Sequence, residues 1–129
     1  MVIINKNNIM GLFDFGDRAT IQTLAYRIGV GVVQMEIELR NSPHEATPIL
    51  RGLAHSIAKE MHKITILVHS LSKSSQDSLK VDFKNRKILF WAFYTEIVPI
   101  CERVESLTGI NFLECTMINK NGQKVKLPY

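Results

Sequence analysis

The sequence predicts an α+β domain in which helices pack on one face of a small antiparallel sheet. Between Arg18 and Leu39 apolar residues recur every three or four positions, and between Thr95 and Gly109 a second such stripe ends in glycine. The stretch from Leu113 to Tyr129 instead alternates apolar and polar in two short runs. The first two patterns call for amphipathic helices, and the third for a hairpin with one buried side.

At 129 residues the chain is read as one domain, 1–129, with 1–16 as an N-terminal arm. That length is enough to bury roughly two thirds of the unfolded surface without metal or disulfide staples. In the arm, Leu12, Phe13 and Phe15 precede Asp17, which can cap a helix starting at Arg18. Ile21, Leu24, Ile28, Val32, Met35 and Leu39 then share one stripe, up to the stop at Asn41, Ser42 and Pro43. A strand competes for the second half. Val33 to Arg40 alternates strictly, and Gly29 and Gly31 each weaken a helix by about 1 kcal/mol, so the local pattern leaves both open.

Ser42 and Glu45 have the spacing of a capping box, and Thr47-Pro48 is a second start signal. Leu50, Leu53, Ile57, Met61 and Ile64 mark the buried side of the helix that follows. The β-branched run Ile64 to Val68 predicts a strand, Ser70 to Ser78 a loop, and Leu79, Val81 and Phe83 the second strand of a hairpin. Ile88 to Tyr94 is either a buried strand or the front of the next helix, because Phe90, Tyr94, Ile97, Cys101 and Val104 keep helical spacing across the join. In the second case Pro99 kinks that helix.

In the last helix Ile97, Ile100, Cys101, Val104 and Thr108 line one side while Glu96, Glu102, Arg103 and Glu105 point away, and Gly109 supplies the left-handed closure. For the terminal hairpin, a three-residue loop of Lys120, Asn121 and Gly122 pairs Met117 with Val125, Cys115 with Leu127 and Leu113 with Tyr129. That register collects the apolar residues on one face.

Chemistry is sparse. His55, His62 and His69 repeat every seven residues, but on one helix they stand about 10.5 Å apart, too far for two of them to share an ion, so no metal site is expected. Cys101 lies on an apolar face without a histidine near it in sequence and reads as a structural thiol. No phosphate-binding glycine loop, nucleophile elbow or zinc spacing occurs, so neither catalysis nor a cofactor is expected. Two cysteines fit a reduced intracellular protein, and Met1 to Asn8 lacks the basic leader and apolar core of a signal peptide. The net charge of +4 is local: Lys80, Lys84, Arg86 and Lys87 in one stretch, and Lys120, Lys124 and Lys126 in the terminal hairpin. Such patches attract anionic lipid or nucleic acid, although the signatures of nucleic-acid modules are absent and that role ranks last.

Two stretches carry a family resemblance. Leu24-Ala25-Tyr26-Arg27-Ile28-Gly29 resembles the first-helix pattern of the 4-vinyl reductase domain. Phe90 to Glu114, with Trp91, Cys101, Leu107-Thr108-Gly109 and Glu114, is similar to its helix-glycine-strand-glutamate run. The order of parts resembles the fold that this domain shares with subunits of TRAPP vesicle-tethering complexes. The resemblance implies helix over strand at 33–39 and 88–94, and pairing with a second copy or a relative. It also implies either a scaffold or a pocket for a small apolar ligand. Met117 and Val125 stand where many 4-vinyl reductase domains have cysteines, which favours the scaffold.

The expected function is therefore a non-catalytic, dimerising, TRAPP-like scaffold in the cytoplasm. It forms a homodimer or a heterodimer with a related subunit, and its basic stretches allow peripheral membrane contact. The alternative is a sensor holding an apolar ligand among Ile28, Met35, Trp91 and Cys101.

Overall fold

A computed structural model describes the backbone of residues 6–113, 115–118 and 121–127, and the side chains of 16–113 and 121–123. Among the described residues four helices and two hairpins follow one another: α1 (Lys6–Asn41), α2 (Pro48–Ser70), α3 (Lys73–Ser78), β1 (Lys80–Phe83), β2 (Arg86–Leu89), α4 (Phe90–Thr108), β3 (Cys115–Ile118) and β4 (Lys124–Leu127). The class is α+β, with helix dominant.

Helix α1 begins at Lys6, so the helix start expected at Arg18, with Asp17 as its cap, is corrected: Gly11 and Gly16 are helical. The strand alternative at 33–40 also gives way to helix. Its alternation came from two helical stripes that overlap in sequence: Met35 and Leu39 are buried inside, while Ile37 is exposed and Val33 half-buried.

Thr47, rather than Ser42, caps α2. Its hydroxyl accepts the amide of Leu50 at 3.1 Å and donates to Glu38 of α1 at 2.8 Å, which pins the α1–α2 corner. The strand expected at Ile64–Val68 is the last part of α2. Tertiary burial overrides β-branched propensity here: Leu50, Ala54, Ile57, Met61, Ile64 and Val68 form one inward row, and Thr65 turns its hydroxyl back onto the Met61 carbonyl at 2.7 Å. The expected loop at 70–78 contains α3, capped by Ser72 through the Ser75 amide at 3.2 Å. Arg18 of α1 donates to the buried Ser75 hydroxyl at 2.8 Å and holds α3 down.

The hairpin partner of β1 is β2 and not residues 64–68, with Val81 opposite Ile88 and Phe83 opposite Arg86. Lys84 and Asn85 turn the chain with φ of 51° and 63°, the left-handed pair whose twist suits adjoining strands. Ile88 and Leu89 end β2, and Phe90 opens α4, so the ambiguous stretch divides between both predicted states.

Pro99 sits inside α4 on its exposed side. Gly109 closes that helix at φ 72°, its amide bonded to Glu105 O at 2.8 Å, and Phe112 N donates to the Glu105 carboxylate at 3.0 Å. The terminal hairpin pairs Cys115 with Leu127 and Met117 with Val125, the expected register, and Gly122 has φ 76°. The pairing of Leu113 with Tyr129, and the readings at Glu114 and Lys120, lie outside the described residues.

Among the described residues the hairpins do not join. Each is a separate two-stranded sheet, so the expected single sheet with helices on one face is corrected. β1 lies against α1 and α4, whereas β3 lies against α2. Between them α1 contacts α2 on one flank and β1 on the other, and two glycines make both approaches close. A Cβ on Gly29 would stand 2.9 Å from Cδ2 of Phe83, and one on Gly31 would collide with the side chain of Ile57. What reads in sequence as helix weakness is a pair of notches for neighbouring side chains.

Candidate interaction surface

Two apolar series wind along α1. The inner one, with Ile21, Ile28, Val32 and Met35 at its centre, is fully buried in the core. The outer one comprises Ala19, Tyr26, Val30, Val33 and Ile37, with the polar Thr23 filling one position, at steps of four, three, four, three and four, the repeat of a coiled-coil seam. Along it Tyr26 is 61%, Val30 44% and Ile37 47% exposed. Burying a side chain of this kind contributes about 1.5–3 kcal/mol, so a run of them left in water forgoes considerable stabilisation. Isolated exposed apolar residues are ordinary; a periodic row on one helix is not.

The row forms a ridge between two depressions. On one side a groove of about 760 Å³ separates it from the β1–β2 turn, with Tyr26, Val30, Val33 and Phe83 as walls and Lys84, Arg86 and Lys87 at the rim. On the other, a notch of about 280 Å³ lies against α2, bordered by Tyr26, Val30, Leu53, Ile57 and Glu60.

The rim charges are largely matched. Lys84 Nζ lies 3.5 Å from Glu36 and 5.2 Å over the Phe83 ring, Arg86 reaches both oxygens of Glu96 at 2.9 and 3.1 Å, and Arg27 stands 3.8 Å from Glu60. Lys87 stands opposite Asp82 in the strand register. Within the stretch Lys80, Lys84, Arg86, Lys87, the middle two are thus paired with carboxylates from outside it, Glu36 and Glu96. Lys80 and Lys87 are exposed; Lys124 and Lys126 lie on β4 without described side chains, and Lys120 is outside the described residues.

The predicted ligand-pocket residues lie elsewhere. Ile28, Met35 and Cys101 are completely buried in the main core cluster, and Trp91 is half-buried at its edge, packed on Phe90, Tyr94 and His69. None of the four borders the groove or the notch. Burial pushes the Cys101 thiol from 9.0 up to about 12, and the nearby Glu105 and Glu102 act in the same direction. The thiolate needed of a nucleophile is strongly disfavoured there. His55, His62 and His69 do share one helix, α2, and His69 stacks obliquely on Trp91 with ring centroids 6.1 Å apart. Among the described residues no three of His, Cys, Asp and Glu gather at one point, and no helix is long and apolar enough to cross a membrane.

The outer seam was present in the sequence but hidden. Val33 and Ile37 of the seam alternate with Met35 and Leu39 of the core, so the segment looked like a strand; following two three-four series at once would have separated them. Comparison with models of protein families, with curated proteins and with solved structures finds no match to this chain.

Proposed function

We propose that this chain is a non-catalytic assembly module that binds protein through the outer face of α1, a TRAPP-like scaffold in its manner of working. The observation that carries the reading is the exposed seam Tyr26, Val30, Val33 and Ile37, flanked on both sides by depressions. A row of apolar side chains at heptad spacing is the surface on which another helix packs. Vesicle tethering at a cytoplasmic membrane surface is consistent with the exposed Lys80 and Lys87, which leave some positive charge on the β1–β2 hairpin.

The test is a photo-reactive amino acid placed at residue 30 of the intact chain. Cross-linked protein mapped to peptides from that position supports the reading, whether the partner is another protein or this one. Cross-linking no greater than at an exposed position off the seam, such as Lys63, overturns it.

A sensor for an apolar ligand is the second reading, favoured by the groove of about 760 Å³, which is in the size range of small-molecule sites. The ligand would then lie against Tyr26, Val33 and Phe83 rather than among Ile28, Met35 and Cys101. Native mass spectrometry of the purified chain separates the two readings: a co-purifying small molecule lost on Val33→Glu supports the sensor, and bare protein counts against it.

A further inference from the structure

We propose that the notch between the end of α1 and the middle of α4 docks an acidic segment of a partner protein, with a carboxylate between Arg40 and Arg103 and an apolar side chain on Leu39, Pro99 and Ile100. This notch shares no residue with the seam at Tyr26, Val30, Val33 and Ile37, so the two surfaces stand or fall separately.

The first argument is unmet hydrogen-bonding capacity. A guanidinium is a planar fork of N–H donors that matches a carboxylate. Arg18 reaches Ser75, Arg27 stands by Glu60, Arg51 reaches the carbonyls of Ala46 and Thr108, and Arg86 grips Glu96. Among the described residues Arg40 has no hydrogen-bond or ion-pair partner, and Arg103 has only the Pro43 carbonyl, at 3.4 Å. Both open onto one notch. The place of Arg40 in the last turn of α1 suits the helix dipole but leaves its donors unused.

The second argument is what lies between them. The notch encloses about 360 Å³, floored by buried Leu39 and half-buried Ile100 and edged by exposed Pro99. The proline ring has no rotamer freedom to lose when it is covered.

The third argument is charge. Glu36 forms part of the wall, and although Lys84 stands 3.5 Å from it, its carboxylate repels a dense anion such as a phosphate. A single carboxylate is the better match for two guanidiniums beside that wall. The net charge of +4 steers an acidic partner toward the chain.

The last argument decides the occupant. Small-molecule sites bury about 70–90% of their ligand, whereas Arg40, Pro99 and Arg103 are all exposed, so a free acid here would stay largely in water. A protein segment brings its own cover, and arginine is enriched where such segments dock.

The experiment selects a random-peptide phage library on the immobilised full chain, with Arg40→Glu/Arg103→Glu as the counter-screen. The expected result is enrichment of Asp or Glu beside a large apolar residue. A synthesised selected peptide should bind the wild type and lose on the order of tenfold in affinity on Arg40→Ala/Arg103→Ala, because two exposed ion pairs go at once. Raising NaCl from about 0.05 to about 0.5 M should also weaken it, and Val30→Glu should leave it unchanged. With its acidic residues replaced by lysine, the peptide should prefer the Arg40→Glu/Arg103→Glu chain. Circular dichroism checks the fold of each variant. If loss of the Arg103 bond to Pro43 unfolds the double variants, Arg40→Glu, which breaks no such bond, carries the test alone.

No enrichment over the counter-screen, selected peptides without acidic residues, or binding indifferent to the arginines overturns the proposal. Displacement of the peptide by micromolar phenylpropanoate makes the notch a small-molecule site and overturns it too. None of these outcomes bears on cross-linking at residue 30, which tests the seam.

Discussion

On the inner side of α1, Ile21, Ile28, Val32 and Met35 are shut away from water, whereas on the outer side Tyr26, Val30 and Ile37 remain open to it. Both series are apolar and both repeat every three or four residues. What separates them is company: α2, β1 and α4 lie along the first, and only the edges of α2 and the β1–β2 hairpin border the second. Periodicity therefore specifies that a helix will bury a stripe, and the surrounding fold decides whether its own chain or another supplies the cover.

The largest test of that contrast is truncation on each side. Ile28→Ala or Met35→Ala should destabilise the fold by about 2–5 kcal/mol, through lost transfer energy and the cavity left behind. Val30→Ala, measured at a protein concentration low enough to exclude association, should stay within about 0.5 kcal/mol. Urea unfolding reads both, and equal losses would erase the distinction.

The dryness of the core can be sharpened through pH. Cys101 has its folded value raised to about 12 from 9.0, so its contribution to stability is whole below pH 9 and is lost as pH climbs from 9 toward 12, where the unfolded thiol ionises and the folded one does not. The loss should approach about 1.4 kcal/mol per pH unit in that window. Cys101→Ala should remove this component of the slope, leaving that of the other groups; an unchanged slope would mean that the thiol is wetter than its burial indicates.

The glycines test the flanks. Gly29→Ala adds about 1 kcal/mol of helix propensity but drives a methyl into the Phe83 ring, which is itself packed edge-on against Phe93 at 5.2 Å. Overpacking costs about 1–3 kcal/mol, so a net loss of up to about 2 kcal/mol is expected in thermal or chemical unfolding. Gly52 in α2 has nothing within 4 Å of a built Cβ, and Gly52→Ala should stabilise by up to about 1 kcal/mol. The opposite signs of these two identical substitutions would show that the notch at Gly29, and not glycine in a helix as such, sets the cost.

The same contrast explains what was legible in advance. Gly109, the α4 stripe and the register of β3 with β4 were readable because each depends on a local period or a special backbone angle. Ile64 to Val68 misled because β-branching is a weak preference and one more helical turn buries Ile64 and Val68 against the core. The β1–β2 hairpin was assigned the wrong partner because its turn is Lys84-Asn85, without the glycine that usually announces such a reversal. The candidate surface was least visible of all. Its charges are matched by residues as distant in sequence as Lys84 and Glu36, and no local window contains both.

The fit of Phe83 over Gly29 and of Ile57 over Gly31 ties positions 54 and 26 residues apart in the chain. Any descendant of this sequence that acquires a side chain at 29 should shrink residue 83 in compensation, and likewise 31 with 57. Paired substitution at those positions would be the evolutionary trace of a helix gripped from both sides.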